Sequence, residues 1–105
     1  MIVTTTNNVE GRRIAQYLRV ISGETVAGIN MFKYIGAGFR NLTGGRVAGY
    51  EREILQARET ALKEMVDRAI ELGAEGVVGV DVDYETLGTG GMVMISATGT
   101  AVTFE

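Results

Sequence analysis

The stretch YEREILQARETALKEMVDRAIEL, residues 50–72, decides the fold because its apolar residues recur at helical spacing. One stripe on the predicted helix consists of Ile54, Ala61, Met65, Ala69 and Leu72. A second row lies beside it, formed by Leu55, Leu62, Val66 and Ile70. Two adjacent rows make the broad apolar face that a helix needs to pack against a sheet. The pattern therefore predicts one long helix from about Tyr50 to Leu72.

Charges and a glycine support both ends of this helix. Glu51 and Glu53 suit the positive end of the helix dipole, and Gly73 supplies the left-handed residue that commonly follows a last turn. Two ion pairs in the favoured (i, i+4) order are also predicted, Glu59–Lys63 and Glu64–Arg68.

Strand patterns lie on both sides of the helix. Ile2–Thr6 is rich in β-branched residues, and Arg13–Asn30 favours a long bent strand or two strands, with Gly23 at a bulge or turn. After the helix, Glu75–Tyr84 and Met92–Phe104 are strands joined by a glycine-rich hairpin loop, Glu85–Gly91.

Residues 31–43 show a shorter apolar stripe and predict a short, weak helix. The order of the main elements is then β-β-α-β-β. It predicts an α+β, two-layer subunit in a single domain, residues 1–105, with one long helix packed on a mainly antiparallel sheet.

The strand within residues 13–30 indicates self-association. Its alternating sets, Ile14, Leu18 and Val20 against Tyr17 and Ile21, leave both faces partly apolar. One helix covers only one face of a sheet, so neighbouring copies are expected to cover the rest.

Composition excludes several classes of chemistry. The chain has no Cys and no His, which removes thiolate nucleophiles, soft-metal sites and the commonest general base. The Ser-His-Asp and Cys-His arrangements are therefore excluded, and no catalytic residues are predicted. No apolar run is long enough to span a bilayer and no signal peptide pattern precedes the first strand, so a cytoplasmic location is expected.

Charge is distributed unevenly along the chain. The net charge of −3 argues against nucleic-acid binding. Residues 1–50 carry six bases and two acids, whereas residues 75–105 carry five acids and no base. This asymmetry is typical either of a surface that binds a polyanion or of two halves that lie side by side, within one subunit or across a subunit boundary. The second interpretation is favoured.

A row of carboxylates is the candidate metal site. Asp81, Asp83 and Glu85 alternate with apolar residues, so they share one face of a strand. Carboxylate oxygens suit a hard cation. The alternative is a solvated strand face, or a set of partners for the arginines of the N-terminal half. A ring of copies would repeat the carboxylates around an axis, which would favour cation binding over a solvated face.

A candidate anion site precedes the long helix. Gly44, Gly45 and Arg46 could offer backbone N–H groups and one guanidinium to an anion. No Lys-Ser/Thr pair follows them, so they do not form a phosphate-binding loop, and a plain turn is the alternative. Glu51 and Glu53, predicted in the first helical turn, would also oppose an anion.

A set of short motifs follows in a specific order along the chain. The motifs are Val9-Glu10-Gly11, Tyr17-Leu18, Val20-Ile21-Ser22-Gly23-Glu24, Gly44-Gly45-Arg46, Tyr50-Glu51, Ala57-Arg58-Glu59, Leu72-Gly73-Ala74, Val77-Val78-Gly79-Val80-Asp81, Asp83-Tyr84-Glu85 and Gly99-Thr100-Ala101-Val102. Together they resemble the YbjQ-like family, a prokaryotic family described as heavy-metal-binding. The resemblance covers the whole chain. It implies a dodecin-like subunit that assembles as a homopentamer with its sheets in a continuous ring, and it implies no established reaction.

Three functions follow from these observations. The first is a non-catalytic homo-oligomeric binding or scaffold protein that holds a ligand in a central pore or at subunit boundaries, with no nucleic-acid or membrane partner. The second is a metal-ion-binding protein that uses Asp81, Asp83 and Glu85. The third is an enzyme that uses Tyr or carboxylates in a subunit cleft, which would require a pocket carboxyl of raised pKa beside a Tyr or Arg. The residues do not identify a cofactor.

Overall fold

The computed structural model describes residues 1–28, 45–88 and 91–105. Their elements are β1 (Ile2–Val3), β2 (Ile14–Ala27), α1 (Gly45–Glu71), β3 (Gly76–Leu87) and β4 (Met92–Phe104). The β-β-α-β-β order is the predicted one. The helix predicted at 31–43 lies outside the described residues.

The four strands form one sheet in the order β1-β3-β4-β2. β4 pairs antiparallel with both β3 and β2, and β1 pairs parallel with β3. The sheet is thus mixed, with the predicted antiparallel pairing in two of its three contacts. β1 is shorter than the predicted Ile2–Thr6, but the N–H groups of Val80 and Gly79 still bond to the carbonyls of Thr4 and Thr6.

β2 is one continuous strand, and the predicted role of Gly23 is wrong. Gly23 pairs regularly with Ala97, and the register shifts of β2 lie nearer its start, between Ile14 and Gln16 and between Tyr17 and Arg19. A Cβ at position 23 would lie 2.1 Å from the carbonyl oxygen of Ala61 and 2.6 Å from the amide nitrogen of Met65. Gly23 is therefore the point where the helix backbone approaches the sheet most tightly among the described glycines.

α1 begins at Gly45, five residues earlier than predicted. Its most buried residues follow a step of four, with Ala61, Met65 and Ala69 fully inaccessible. The buried face of α1 is narrower than predicted, since Ile70 and Leu72 at its margins are 56% and 42% exposed. Small side chains at the contact let the helix lie close to the strands, and a close contact buries a narrower stripe.

The end of α1 is as predicted, with Gly73 in the left-handed region at φ +79°. The N–H of Ala74 bonds to the carbonyl of Ala69 and that of Gly73 to the carbonyl of Ile70, which is the Schellman pattern. The Glu64–Arg68 pair forms at 2.6 Å. Lys63, predicted to pair with Glu59, pairs with Asp67 at 2.8 Å instead, because both spacings are available on the helix surface.

The main core lies between α1 and the sheet. Its buried strand residues are Ile21, Ala27, Val77, Val80, Val93, Ile95, Ala97 and Ala101. A second, smaller cluster of Val78, Val102 and Phe104 packs with Ile2, Val9 and Ile14. Because side chains alternate along a strand, Val78 lies on the opposite face from Val77. We call this opposite side, away from α1, the outer sheet face.

Candidate functional site

A glycine bulge decides which residues lie on the outer sheet face. The pairing of β3 with β4 shifts between Val78 and Asp81, and Gly79 within this shift has φ +62°. The extra residue places Val80 in the core and Asp81 on the outer face. Without the bulge, strict alternation would turn Asp81 and Asp83 toward the helix.

The predicted row of carboxylates lies on β3, downstream of this bulge. Asp81, Asp83 and Glu85 occupy alternate positions, and all three residues are exposed. In the register of β3 with β4, they lie opposite Thr98, Ser96 and Met94. The outer face at this point therefore combines carboxylates with hydroxyl groups.

A fourth carboxylate, Glu24 of β2, joins this face and was missed in the sequence. Ser96 pairs with Asp83 on one side and with Glu24 on the other. Because neighbouring strands are ~4.8 Å apart, Glu24 and Asp83 lie roughly 10 Å apart at their backbones. Only the strand register brings them to one row, so no local pattern could have indicated it.

Asp81 and Asp83 interact directly. A hydrogen bond with the side chain of Asp81, and then the charge of Asp81, raises the pKa of the Asp83 carboxyl above its ordinary value. The pair thus holds a proton more readily than an isolated aspartate does. Asp83 lies on an exposed strand face, whereas the enzyme alternative requires such a carboxyl in a pocket.

The pKa of Glu24 is shifted in the opposite direction from that of Asp83. The Ser22 hydroxyl donates to Glu24 Oε1 at 2.6 Å, and Arg68 Nη1 donates to Glu24 Oε2 at 3.2 Å. Both hydrogen bonds lower the pKa of Glu24 below its ordinary value, and the bond from Ser22 has the larger effect. Arg68 also donates to the backbone carbonyl of Ser22 and to Glu64, so one side chain links the helix to the edge of the sheet.

The donor set does not fit a heavy metal. Within residues 1–28, 45–88 and 91–105, no three side chains of the ligating types converge to hold a metal ion. The whole sequence lacks Cys and His, and the remaining carboxylates suit hard cations rather than soft ones. A metal site at Asp81, Asp83 and Glu85 therefore remains a prediction, and it would need further oxygen ligands from elsewhere.

The predicted anion site is only partly described. Gly44 lies outside the described residues, while Gly45 and Arg46 form the first positions of α1. Glu51 and Glu53 do not oppose an anion in the first turn as predicted, because the earlier start of α1 leaves that turn without an acidic residue.

Within residues 1–28, 45–88 and 91–105, no strand pairs with the long outer edge of β2. β2 has 14 residues and lies at the end of the sheet, with β4 as its neighbour. The carbonyl of Ser22 points off this edge, because Arg68 binds it from outside. Alternation then directs the backbone groups of Val20, Glu24 and Val26 the same way.

Exposed apolar side chains accompany this edge. Tyr17, Val20 and Val26 of β2 are 69%, 73% and 50% exposed. On the other side of the sheet, β1 pairs only with Gly76 and Val77 of β3. The stretch of β3 from Asp81 to Leu87 thus has no strand on its outer side among the described residues, and the sheet has two open edges.

The fold and these surfaces define a small α+β protein with an acidic outer sheet face and two open sheet edges. In the described ranges, no helix has the length and hydropathy of a membrane-spanning segment. Comparison with known proteins identifies the class more narrowly. A family model, YbjQ_1, described as "Putative heavy-metal-binding", matches residues 1–105, and the chain belongs to this family.

Relatives agree with this assignment. The chain is 82% identical to UPF0145 protein jk0060 of Corynebacterium jeikeium over the full length of both. It is 54% identical to a UPF0145 protein of Listeria ivanovii, covering all of this chain and 96% of the relative. A crystal structure of a DUF74-family protein of unknown function from Pediococcus pentosaceus matches with a TM-score of 0.67 at 15% identity, over 100% of this chain and 98% of the other. That likeness supports the fold.

Proposed function

We propose that this protein is a non-catalytic binding or scaffold protein that works as a closed ring of its own copies. A ligand would lie in the central space or at the subunit boundaries. The observation that carries the proposal is β2, a 14-residue strand at the edge of the sheet with exposed Tyr17, Val20 and Val26. Five copies are proposed from the family resemblance.

The free backbone groups of β2 are the physical reason. An open strand edge presents unpaired N–H and C=O groups and tends to pair with another strand. On β2, Arg68 occupies one of these carbonyls, that of Ser22. The remaining polar groups, together with exposed apolar side chains, fit a partner strand better than they fit water.

The second open edge supplies that partner. Pairing β2 of one copy with residues 81–87 of β3 in the next leaves a free β2 on the second copy, so the contact repeats. It gives a ring when the rotation between neighbouring copies closes after a whole number of copies, and an open filament otherwise. β2 and β3 both run antiparallel to β4 and hence run in the same direction. If the symmetry axis of the ring runs along the strands, its rotation leaves the strand direction unchanged. The contact between β2 of one copy and β3 of the next would therefore be parallel.

Opposite charges on the two edges favour their encounter. Asp81, Asp83 and Glu85 lie on β3, whereas Arg12, Arg13 and Arg19 lie at the start of β2 or just before it. Because Glu24 of β2 is level with Asp83 of β3 in the sheet, the arginines meet the carboxylates only if the two strands are staggered along their length. The attraction between the two groups steers association and weakens with salt.

The residue types support the proposal of a non-catalytic role. Without His or Cys, proton transfer would fall to carboxylates or Tyr, and the carboxyl with a raised pKa, Asp83, is open to solvent. The proposal includes a cytoplasmic location and no nucleic-acid or membrane partner, both of which rest on the sequence.

Light scattering of the protein at micromolar concentration tests the ring. We expect a mass about five times the 11.2 kDa of one chain. Val20→Lys places a charge on the β2 edge and should reduce the mass toward one copy. Leu55→Lys, at a 48% exposed position on α1, is the matched control and should leave the mass unchanged. A wild-type mass of one copy, or of two, would contradict the ring.

A second candidate function is binding of a hard cation by Asp81, Asp83 and Glu85 brought together from several copies. The contact between Asp81 and Asp83 favours it, because a cation would replace the proton that their mutual repulsion retains. Calorimetry with Ca²⁺, Mg²⁺, Mn²⁺ and Zn²⁺ tests it. The Asp81→Asn, Asp83→Asn double variant should lose the heat, and Glu51→Gln, Glu59→Gln should keep it. Equal heats in both double variants would exclude this site.

A further inference from the structure

The side chain of Arg68 crosses the outer edge of β2. Arg68 belongs to α1, on the helix side of the sheet, whereas Glu24 points to the outer sheet face. Nη1 of Arg68 nevertheless donates hydrogen bonds both to the backbone carbonyl of Ser22 and to Glu24 Oε2. Since that carbonyl points off the edge, the guanidinium lies outside the strand, between the two faces of the sheet.

Two further hydrogen bonds hold the guanidinium in this position. Nη2 of Arg68 donates to Glu64, one turn earlier on α1, at 2.6 Å. The Ser22 hydroxyl donates to Glu24 Oε1 at 2.6 Å and so fixes the carboxylate that Arg68 binds. The side chains of Arg68 and Glu24 are each 44% exposed, so their ion pair is weak enough to break and form again.

A second strand cannot pair with β2 at Ser22 while the guanidinium of Arg68 lies there. Neighbouring strands are ~4.8 Å apart, and an N–H nitrogen of an added strand would have to lie about 2.9 Å from the Ser22 carbonyl oxygen. The guanidinium fills this space and uses this acceptor. Charged side chains on edge strands are a common protection of natural sheets against strand addition. In this protein the helix supplies the charge.

The structure also provides a place to which the guanidinium can move. A groove of about 390 Å³ lies beside this edge, and its lining includes Arg68, Glu71 and Leu72 of α1. Glu71 comes three residues after Arg68, a spacing at which helical side chains meet. Among the described residues, Glu71 forms no ion pair. An Arg68 side chain that turned into the groove would gain Glu71 as it released the Ser22 carbonyl.

We propose that Arg68 is a displaceable cap on the edge of β2, which opposes the pairing of this strand with a strand of a second copy. In the capped state the guanidinium binds Ser22 and Glu24. In the open state it lies in the groove with Glu71, and a backbone N–H of the added strand takes its place on the Ser22 carbonyl. This inference rests on the proposed pairing of β2 between copies, and it names the residue that limits the strength of that pairing.

Light scattering of Arg68→Ala on dilution tests the cap. Its removal should lower the concentration at which the copies dissociate by about tenfold, because association no longer has to break an exposed ion pair and a bond to the carbonyl. Lys63→Ala is the matched control and should dissociate like the wild type. It also removes one positive charge and one exposed ion pair, but its partner Asp67 lies within α1. Circular dichroism at each concentration checks that both variants are folded.

A second variant tests the cap without a change in charge. Ser22→Ala removes the hydroxyl that fixes Glu24 but keeps the backbone carbonyl. It should loosen the cap and lower the dissociation concentration by about threefold. Ser96→Ala removes a hydroxyl from the residue of β4 that pairs with Glu24, and it should have no effect.

The outcomes separate the cap from the ring. If Arg68→Ala associates more tightly than Lys63→Ala, the cap is confirmed, whether the assembled mass is that of a ring or of two copies. If the wild type has the mass of a ring and Arg68→Ala dissociates at the same concentration as Lys63→Ala or a higher one, the ring stands and the cap is wrong. A Ser22→Ala variant that associates no more tightly than Ser96→Ala would also overturn the cap. If the wild type and Arg68→Ala are both single copies at every concentration, the ring and the cap fail together.

Discussion

Gly23→Ala tests the tight contact between α1 and β2. An added Cβ would lie 2.1 Å from the carbonyl oxygen of Ala61 and 2.6 Å from the amide nitrogen of Met65. Ordinary contact begins near 3.4 Å, so the helix would have to move by about an ångström. Because both atoms belong to the helix backbone, no side-chain rotation relieves the clash.

The expected cost follows from this geometry. Overpacking a core typically costs about 1–3 kcal/mol, and a clash with backbone on two sides belongs at the upper end, about 3 kcal/mol. Domains of this size are stable by about 5–15 kcal/mol, so the loss is large. With a urea m-value of about 2 kcal/mol/M, the midpoint should fall by about 1.5 M.

Two other glycines calibrate the measurement. A Cβ at Gly99 would lie 2.6 Å from Cγ1 of Val77, whose side chain is β-branched and fully buried. This contact involves one side chain rather than backbone on two sides, so Gly99→Ala should cost about 2 kcal/mol, less than Gly23→Ala. A Cβ at Gly28 would meet nothing within 4 Å, so Gly28→Ala should be within about 0.5 kcal/mol of wild type. Urea unfolding followed by circular dichroism, at one protein concentration, ranks the three. If Gly23→Ala were as stable as Gly28→Ala, the close helix approach would be refuted.

Three further predictions concern the outer sheet face and the edge of β2. Gly79→Ala should cost about 1–2 kcal/mol in urea unfolding because φ at this position is +62°, and an unchanged midpoint would contradict the bulge. Since folding raises the pKa of Asp83, the folded state loses stability as pH rises from the ordinary carboxyl range through the raised pKa. Asp83→Asn should therefore be more stable than wild type at pH 7 and equal to it in acid, and the same difference at both pH values would argue against the contact with Asp81. Arg68→Gln should cost about 1 kcal/mol at neutral pH, because the contacts of Arg68 with Glu24 and Glu64 are partly exposed. Since the pKa of Glu24 is lowered, this cost should shrink as pH falls through that pKa, and a cost that stays constant in acid would exclude the contribution of Glu24.

Local patterns were sufficient to predict the main elements. The spacing of Ala61, Met65 and Ala69 predicted α1, and Gly73 predicted its end, since both depend on residues a few positions apart. The alternation after Gly76 likewise predicted the hairpin of β3 and β4. The start of α1 was missed because the apolar periodicity weakens before Tyr50.

Features that depend on register could not be predicted. Gly23 is a typical bulge residue in sequence, and its true role depends on Ala61, which is 38 positions away. Glu24 joins the outer sheet face only because β4 lies between β2 and β3. Alternation predicted that Asp81 and Asp83 share one face of the strand. It could not predict that this is the outer sheet face, because that depends on the bulge at Gly79.

The sheet order also brings the two chain termini to the same end of the molecule. Ile2 pairs with Gly76, and Gly76 pairs with Val102, so β1 and β4 are two strand spacings apart, roughly 10 Å. A linker of about six residues, with a reach of about 20 Å, would connect Glu105 to Met1. A circularly permuted chain opened between Gly88 and Gly91 would retain every strand pairing and could carry a fusion partner at the hairpin.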